Sequence, residues 1–573
     1  MNYFLVLATD YDGTIAHGGV VDEQTITALV RLKKAGRKLI LVTGRELPDL
    51  LRVFPALDVF DRIVAENGAL LYTPATKEER PLGPPPDDAF VSRLKADKIA
   101  PLSVGRVIVA TWEPNETAAL EAIRDLGLDL QIIFNMGAVM ILPNGINKAT
   151  GLVAALEGLG LSVHNAVATG DAENDLAFMR ACGCAVAVGN ALPSVKDTAN
   201  LITDAARGAG VADTIERWLR DEAELLDAAI ARHTIVIGNN SGAEILLRPD
   251  RGSVLITGTS GGGKSTLATA LLEKFVASGF QICLFDPEGD YSDFGDVVTF
   301  GDAKTAISPE PVLAAVRKLG TNVAINMLGS GVEERPDLFA SLFPAVVDIH
   351  AKYGRPHWVL VDEAHHMLPY GRDAGAGLNI GDQPPAIFVT VHPDALATNV
   401  LRSIGIVLII GKKSLDLIGT LSARLSRSCP PVPERGPEIG EAIYWDLRTD
   451  DAPIIITVDK PVHALTRHIR KYAEGTLGED RSFYFTGPKR TLHLRAHNLV
   501  TFLQIGEGID EATYRFHLDN ADFSTWLRKS IKDEDLADEV AQIEAEHEHP
   551  VDEARRLIRA VVERRYTRSV DAL

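Results

Sequence analysis

Four cysteines in 573 residues are too few for a disulfide framework. Cys182, Cys184, Cys283 and Cys429 show no metal-type pairing, since Cys182-x-Cys184 is tighter than the usual zinc spacing. All four are expected as core thiols in a reducing cytoplasm. Long hydrophobic runs are lacking too. No stretch of about 18 or more apolar residues occurs, which excludes a helical membrane span. The start, MNYFLVLATDYDGT, has no basic segment ahead of its short apolar run, so a buried strand is expected there rather than a signal peptide. Positive charge is in deficit: 58 Lys and Arg stand against 78 Asp and Glu, a net charge of −20. A nucleic-acid coat needs clustered Lys and Arg, so the balance disfavours nucleic acid as a partner. It still allows a ring that is acidic outside and basic in its pore. Internal repeats and low-complexity tracts are absent. LGPPPDD (82–88) and CPPVPERGP (429–437) read as loops.

What the chain does have is SVLITGTSGGGKST (253–266): an apolar run, a glycine-rich loop, then a helix-forming stretch. The spacing G-x-x-x-x-G-K-[ST] is complete in Gly258, Gly263, Lys264 and Ser265, with Gly261, Gly262 and Thr266 completing the segment. Successive backbone N–H groups must approach a phosphate chain closely, which glycine permits. The helix N-terminus behind the loop adds its positive end. Lys264 is expected to reach the β- and γ-phosphates of ATP, and Ser265 to offer its hydroxyl to Mg2+.

A second chemistry lies upstream. Phe4–Ala8 is an apolar run leading into Asp10-Tyr11-Asp12-Gly13-Thr14. Carboxylates two residues apart, past the C-terminal end of a parallel strand, project into a ligand crevice. One can attack a phosphoryl group; the other can protonate the leaving oxygen and later activate water. Mg2+ is needed to quench repulsion between Asp10 and a phosphate dianion. Lys38–Val42 reads as a second strand, ending in Thr43-Gly44-Arg45, where a hydroxyl and a free N–H can hold phosphate oxygens. Arg45 stands equally for substrate contact or a plain ion pair. Lys148, at a helix start, can neutralise charge on the attacked group. In NAVATGDAENDLAFM (165–179), Asp171 and Asp175 share one side of a helix start and suit a hard cation.

These four segments resemble the haloacid dehalogenase phosphatase superfamily, and specifically its Cof-type branch, over residues 1–222. The resemblance implies a Rossmann-like α/β domain. It makes Asp10 the nucleophile that forms an aspartyl-phosphate and Asp12 the general acid/base. Thr43 and Lys148 become the phosphate-binding and charge-stabilising positions. Asp171 becomes a Mg2+ ligand with Asp10 and the Asp12 backbone carbonyl, supported by Asp175, with Asn174 in the same loop. Glu66-Asn67-Gly68 resembles a segment that lies near substrate in that branch. A small α/β cap is expected at about 81–143. A lid this short is similar to those of phosphoglycolate and sucrose-phosphate phosphatases, which implies a small phosphorylated metabolite of sugar or glycolate type.

After a helical connector, DEAELLDAAIARH (221–233), come two short strands and then the glycine-rich loop. QICLFDPEGDY (281–291) ends a strand with Asp286 and Glu288. WVLVDEAHH (358–366) carries four apolar residues and then Asp362-Glu363. Asp362 would hold Mg2+ through water and Glu363 would polarise the attacking water, the pairing expected of an ATP hydrolase. AIFVTVHPDAL (386–396) places Thr390 and His392 at another strand end as sensor candidates, and IGIVLIIGKKS (404–414) supplies one more strand. The arrangement resembles the HerA/FtsK-type P-loop ATPases, with LFDPEGDY as the most telling piece. That resemblance implies a RecA-like domain over 223–472, a homo-oligomer up to a hexameric ring, and an arginine finger among Arg402, Arg424 and Arg427. The small barrel usual before such an ATPase is replaced here by the phosphatase. Residues 473–573 read as a short strand pair and a mainly helical module.

The expectation is therefore a cytoplasmic bifunctional enzyme, a Mg2+-dependent phosphatase fused to an ATPase. Two other readings stand beside it: a DNA-translocating ATPase whose phosphatase trims nucleic-acid ends, and a polynucleotide kinase/phosphatase. Glu363 speaks against the kinase.

Overall fold

The computed structural model describes residues 3–566 apart from 136, 260–261, 292–293, 296, 303, 372–383, 412–413, 463–476, 480, 491, 532 and 547–549. Its first sheet runs in the order Leu201–Ile202, Cys184–Ala187, Ala166–Gly170, Val6–Asp10, Lys38–Val42, Arg62–Ala65, Leu70–Thr73, Glu78–Pro81. The first six strands are parallel and the last two antiparallel. Val6–Asp10 and Ala166–Gly170 are buried along their whole length, because helices cover both faces of the sheet. Both strands deliver their acidic ends to one edge of it.

The cap is a four-stranded antiparallel sheet, Leu130–Asn135, Ala138–Pro143, Val109–Trp112, Ser103–Val104. Its residues alternate between faces. Val109, Val139 and Ile141 pack on Phe90 and Leu94 of helix Asp88–Ala96 and on Ala119 and Ile123 of helix Glu116–Leu126. Met140 and Leu142 point the other way, join Val107 and Ile108, and close on Ala69 of the core domain. Leu130–Asn135 lies beside Glu173–Asp175.

The P-loop strand, Ser253–Gly258, sits between Ile404–Ile410 and Ala386–Thr390, with Trp358–Val361 and Ile282–Asp286 beyond, all parallel. Gly258, Asp286, Asp362 and Thr390 therefore gather at the carboxyl edge of the sheet. Asn322–Asn326 and Val297–Phe300 extend one side in parallel. Glu441–Asp446, Ile454–Val458, Ile235–Asn240 and Ala243–Leu247 extend the other in antiparallel.

The two α/β units meet through buried polar groups. Helix Lys148–Leu159 ends at Gly160 in the left-handed region, φ 69°. The Gly160 carbonyl accepts Nε and Nη2 of Arg355 at 3.1 and 2.8 Å. Arg355 is fully buried and also donates to the Arg317 carbonyl at 2.7 Å and to Gln281 Oε1 at 2.9 Å. The His164 ring stacks on Phe280 at 4.3 Å, with His357 edge-on to both. His233 donates from Nε2 to the Gly183 carbonyl at 2.8 Å and accepts the Tyr3 hydroxyl at Nδ1, 2.9 Å. Burial pulls the pKa of His233 and of His350 down to about 4, so this joint holds neutral imidazoles.

The C-terminal module pairs Phe483–Phe485 with Leu494–Ala496 and wraps helices around Phe483, Phe485, Phe502, Phe523 and Trp526. Trp526 Nε1 donates to the Arg481 carbonyl at 2.9 Å. Arg481 in turn reaches Glu288 at 3.3 Å, beside the ATPase strands. One expectation fails: Cys182, Cys184 and Cys283 are buried thiols, but Cys429 is exposed, because its proline-rich neighbours hold it in a surface loop.

Candidate active sites

Asp10 closes strand Val6–Asp10, and Lys148 opens helix Lys148–Leu159 behind it. The buried Lys148 Nζ lies 2.6 Å from Asp10 Oδ1 and 2.6 Å from Asp175 Oδ1. The other Asp175 oxygen accepts the backbone N–H groups of Asp171 and Ala172 at 2.9 and 3.1 Å, which shapes the loop. Asp171 Oδ1 accepts the Thr14 hydroxyl at 2.9 Å. Gly13 has φ +80°, and a Cβ there would fall 2.2 Å from Asp171 Oδ2, so this close approach requires glycine. One carboxylate oxygen each from Asp10, Asp171 and Asp175 lies within 4.8 Å of the others, and all three residues are buried.

Burial raises the Asp10 pKa well above the carboxylate range, with Asp175 adding to it and Lys148 opposing. Burial, then Asp175, pushes Asp171 up to about 6. Burial works against the Lys148 charge, but the two carboxylates outweigh it and hold its pKa above the ordinary value. Three buried carboxyl groups share one ammonium, and the raised pKa values of Asp10 and Asp171 reflect negative charge that Lys148 alone does not offset. That donor set fits a divalent cation such as Mg2+.

Thr43 is buried, and its Oγ1 accepts the Arg45 backbone N–H at 3.1 Å. The Asp12 carboxylate turns outward to Arg45, which grips it from Nε at 2.6 Å and Nη2 at 2.7 Å while Nη1 holds Asp49 at 2.5 Å. Arg45 thus forms an ion pair to the second aspartate of the motif. Asn174 donates to Asn67 Oδ1 at 3.2 Å. Glu66 turns its fully buried carboxylate to the backbone of the cap at 106–108. Pattern reading missed that contact because its partners lie 40 residues on.

At the second site, Gly258 has φ 153°, and a Cβ there would meet the Ile410 carbonyl at 2.1 Å. Gly263, φ 98°, opens helix Lys264–Ala277. Lys264 Nζ donates to the Thr259 carbonyl at 2.8 Å, Gly262 N–H donates to the same oxygen at 3.1 Å, and Ser265 and Thr266 follow in the first turn. Gly261 lies outside the described residues. Asp362 is buried, and its Oδ1 accepts the Glu363 N–H at 2.8 Å. Burial, then Glu363, raises its pKa well above the usual value.

Glu363 itself sits in the left-handed region, φ 42°, a strained conformation for a non-glycine residue. Its Oε2 is 3.4 Å from His365 Nδ1, which also pairs with Thr390 Oγ1 at 2.9 Å. His392 donates its backbone N–H to the same hydroxyl at 3.0 Å. Thr390 is thus linked to Glu363 through His365, which the sequence pattern did not single out although it stands two residues after Glu363, while His392 joins Thr390 by its backbone N–H. Asp286 accepts the N–H groups of Gly289, Asp290 and Tyr291 at 2.7, 3.1 and 2.9 Å, so it folds its own loop. Among the arginine candidates, Arg424 is half-buried and donates to the Leu396 carbonyl, Arg427 is exposed and donates to the Leu447 carbonyl, and Arg402 is exposed.

Residues 7–82 and 110–215 match the haloacid dehalogenase-like hydrolase family, and residues 235–340 match the central domain of helicase HerA. The phosphoglycolate phosphatase of Methanothermobacter thermautotrophicus is 31% identical over 221 residues, covering 37% of this chain and 98% of that protein. The phosphoglycolate phosphatase of Pyrobaculum aerophilum is 28% identical over 219 residues, covering 37% of this chain and 94% of that protein. Among solved structures, a haloacid dehalogenase-like hydrolase from Bacteroides thetaiotaomicron aligns at 20% identity with a TM-score of 0.33, covering 37% of this chain and 99% of that one.

Proposed function

The chain belongs to the haloacid dehalogenase-like hydrolases, with a HerA-type domain following in the same polypeptide, and from that premise we propose a bifunctional enzyme. Its first unit hydrolyses a small phosphomonoester of glycolate or sugar type. Its second binds and hydrolyses ATP. The observation that carries the first activity is Lys148 bridging Asp10 and Asp175 at 2.6 Å, with Asp171 beside them.

In this reading an Asp10 oxygen attacks phosphorus, the ester P–O bond breaks, and Asp12 gives its proton to the leaving alkoxide. Water then attacks the aspartyl-phosphate, Asp12 takes the proton, and phosphate departs with Asp10 restored. For either transfer the Asp12–Arg45 pair must open. Thr43 and Lys148 hold the phosphoryl oxygens. Asp10, Asp171 and the Asp12 carbonyl would hold Mg2+, with Asp175 behind them, and the ion would supply charge neutralisation.

At the ATPase, Gly258, Gly261, Gly262, Gly263, Lys264 and Thr266 would hold the phosphates of ATP, and Ser265 and Asp362 would hold its Mg2+, which would supply charge neutralisation. Glu363 is the residue to activate the attacking water. Assembly as a homo-oligomeric ring, with a finger drawn from Arg402, Arg424 or Arg427 of a neighbouring copy, fits the HerA match. That match also supports a second reading, ATP-driven movement on DNA with an end-trimming phosphatase. ATP hydrolysis stimulated by DNA across salt conditions would support the second reading, and its absence would remove it.

The test of the first is phosphate release from phosphoglycolate and a panel of sugar phosphates with Mg2+. Wild type is expected to turn over at least one, Asp10→Asn none, and Lys264→Ala the same one as wild type. Full turnover by Asp10→Asn would overturn the assignment.

A further inference from the structure

We propose that Glu66 is a positioning residue of the phosphatase, an anionic latch that seats the cap over the catalytic aspartates. The inference rests on the phosphatase reading and goes beyond it to how the site is closed. Glu66 is fully buried, yet its carboxylate is filled by backbone N–H groups. Oε1 accepts Arg106 N–H at 2.8 Å, and Oε2 accepts Val107 N–H at 2.8 Å and Ile108 N–H at 3.0 Å. These three amides lead into cap strand Val109–Trp112. An ionised carboxylate is the natural acceptor for three converging N–H groups.

The surroundings are shaped to this contact. A Cβ on Gly105 would fall 2.6 Å from Glu66 Oε1, so the cap chain passes as close as glycine allows. Glu66 and Asn67 both hold positive φ, 52° and 53°, a rare pairing for two adjacent non-glycines. That turn sends three consecutive residues to three parts of the site. Glu66 takes the cap. Asn67 accepts Asn174 of the Asp171–Asp175 loop at 3.2 Å. Gly68, at φ 108°, packs where a Cβ would stand 1.9 Å from the Asn147 carbonyl, the residue that caps the Lys148 helix. Around the latch, Ala69 packs with Val107, Ile108, Met140 and Leu142, and Met140 Sδ approaches within 3.5 Å of the Cβ position on Gly44, the residue after Thr43. The latch therefore fixes the cap floor against the phosphate-binding segment, and a small displacement of such a floor costs on the order of a hundredfold in rate.

The test uses the full chain with Glu66→Ala and, to guard against misfolding of that variant, Gly105→Ala, which keeps Glu66 but sets a methyl group against its carboxylate, so that the carboxylate and the cap amides no longer meet as they do here. p-Nitrophenyl phosphate has an activated leaving group that needs neither protonation by Asp12 nor alignment by the cap, so it reports the core site alone. Each variant is expected to lose about 10- to 100-fold in kcat/KM on the best unactivated substrate while p-nitrophenyl phosphate turnover stays within about twofold. Amide hydrogen exchange at 106–108 should accelerate in each, with strand Val6–Asp10 still protected. Equal losses on both substrates, or unchanged exchange at 106–108, would overturn the latch. If wild type hydrolyses neither substrate, the phosphatase reading fails instead, and the exchange experiment still decides whether Glu66 holds the cap.

Discussion

Replacing Lys148 by Met keeps the length of the side chain and removes the one ammonium between Asp10 and Asp175. Both carboxylates then lose a charge-assisted bond of 2.6 Å inside a buried site. Breaking a buried ion pair by removing one partner costs about 3–5 kcal/mol, because the remaining charge stays buried and uncompensated. The raised pKa of Asp10 tempers this, since protonating that carboxyl relieves part of the repulsion, so the lower half of the range is expected. For a unit of this size each kcal/mol moves the midpoint by about 2–4 °C, so the phosphatase transition should fall by roughly 6–16 °C. Calorimetry on the full chain with chelator would resolve that transition from the ATPase one. Adding Mg2+ should recover part of the loss, because a cation bound only to the folded site stabilises it. Phosphomonoester turnover should drop by about 10²–10³-fold, the usual effect of removing a fixed charge from a transition state, while ATP hydrolysis is unchanged. A variant with the wild-type midpoint and turnover would show that Lys148 neither holds the aspartates together nor acts on phosphate.

Three further outcomes are expected. Lys264→Ala should abolish ATP binding, and Glu363→Gln should retain binding while losing hydrolysis, both read by nucleotide titration and phosphate release; hydrolysis surviving in Glu363→Gln would displace that residue from its role. Folded His233 titrates at about 4 against an ordinary 6.5, a depressed value, so its contribution is full above pH 6.5 and lost as pH falls toward 4. The stability advantage of wild type over His233→Gln should therefore shrink by about 1.4 kcal/mol per pH unit below 6.5 in denaturant titrations, and a constant difference would contradict a neutral buried ring. Arg355→Ala leaves the Gly160 and Arg317 carbonyls without their buried donor, so it should destabilise the junction by about 2–4 kcal/mol. Faster hydrogen exchange at 160–165 would confirm this, and unchanged protection there would refute it.

The candidate sites were legible in the sequence wherever their residues are close in the chain. Asp10 and Asp12, Asp171 and Asp175, Gly258 through Ser265, and Asp362 with Glu363 each sit at the end of a strand buried on both faces, and such strands announce themselves as short apolar runs. Contacts formed by single residues across long separations left no such pattern. Nothing near Glu66 points to amides 40 residues away, and nothing near Arg355 points to a carbonyl 195 residues back. Strands such as Asn322–Asn326 and Ile454–Val458 were missed because their apolar runs are short. Arg45 illustrates a third case. Its place after strand Lys38–Val42 leaves substrate contact and an ion pair equally open, and only the folded chain brings it against Asp12.

The central claim is that one polypeptide carries two separate phosphate-cleaving centres, one on Asp10 and one on Lys264 and Glu363. The most direct test measures phosphate release from ATP and from the preferred phosphomonoester side by side in wild type, Asp10→Asn and Glu363→Gln. The expected result is a crossed pattern, in which Asp10→Asn loses only phosphomonoester hydrolysis and Glu363→Gln loses only ATP hydrolysis. Both activities falling together in Asp10→Asn, or neither falling, would contradict it.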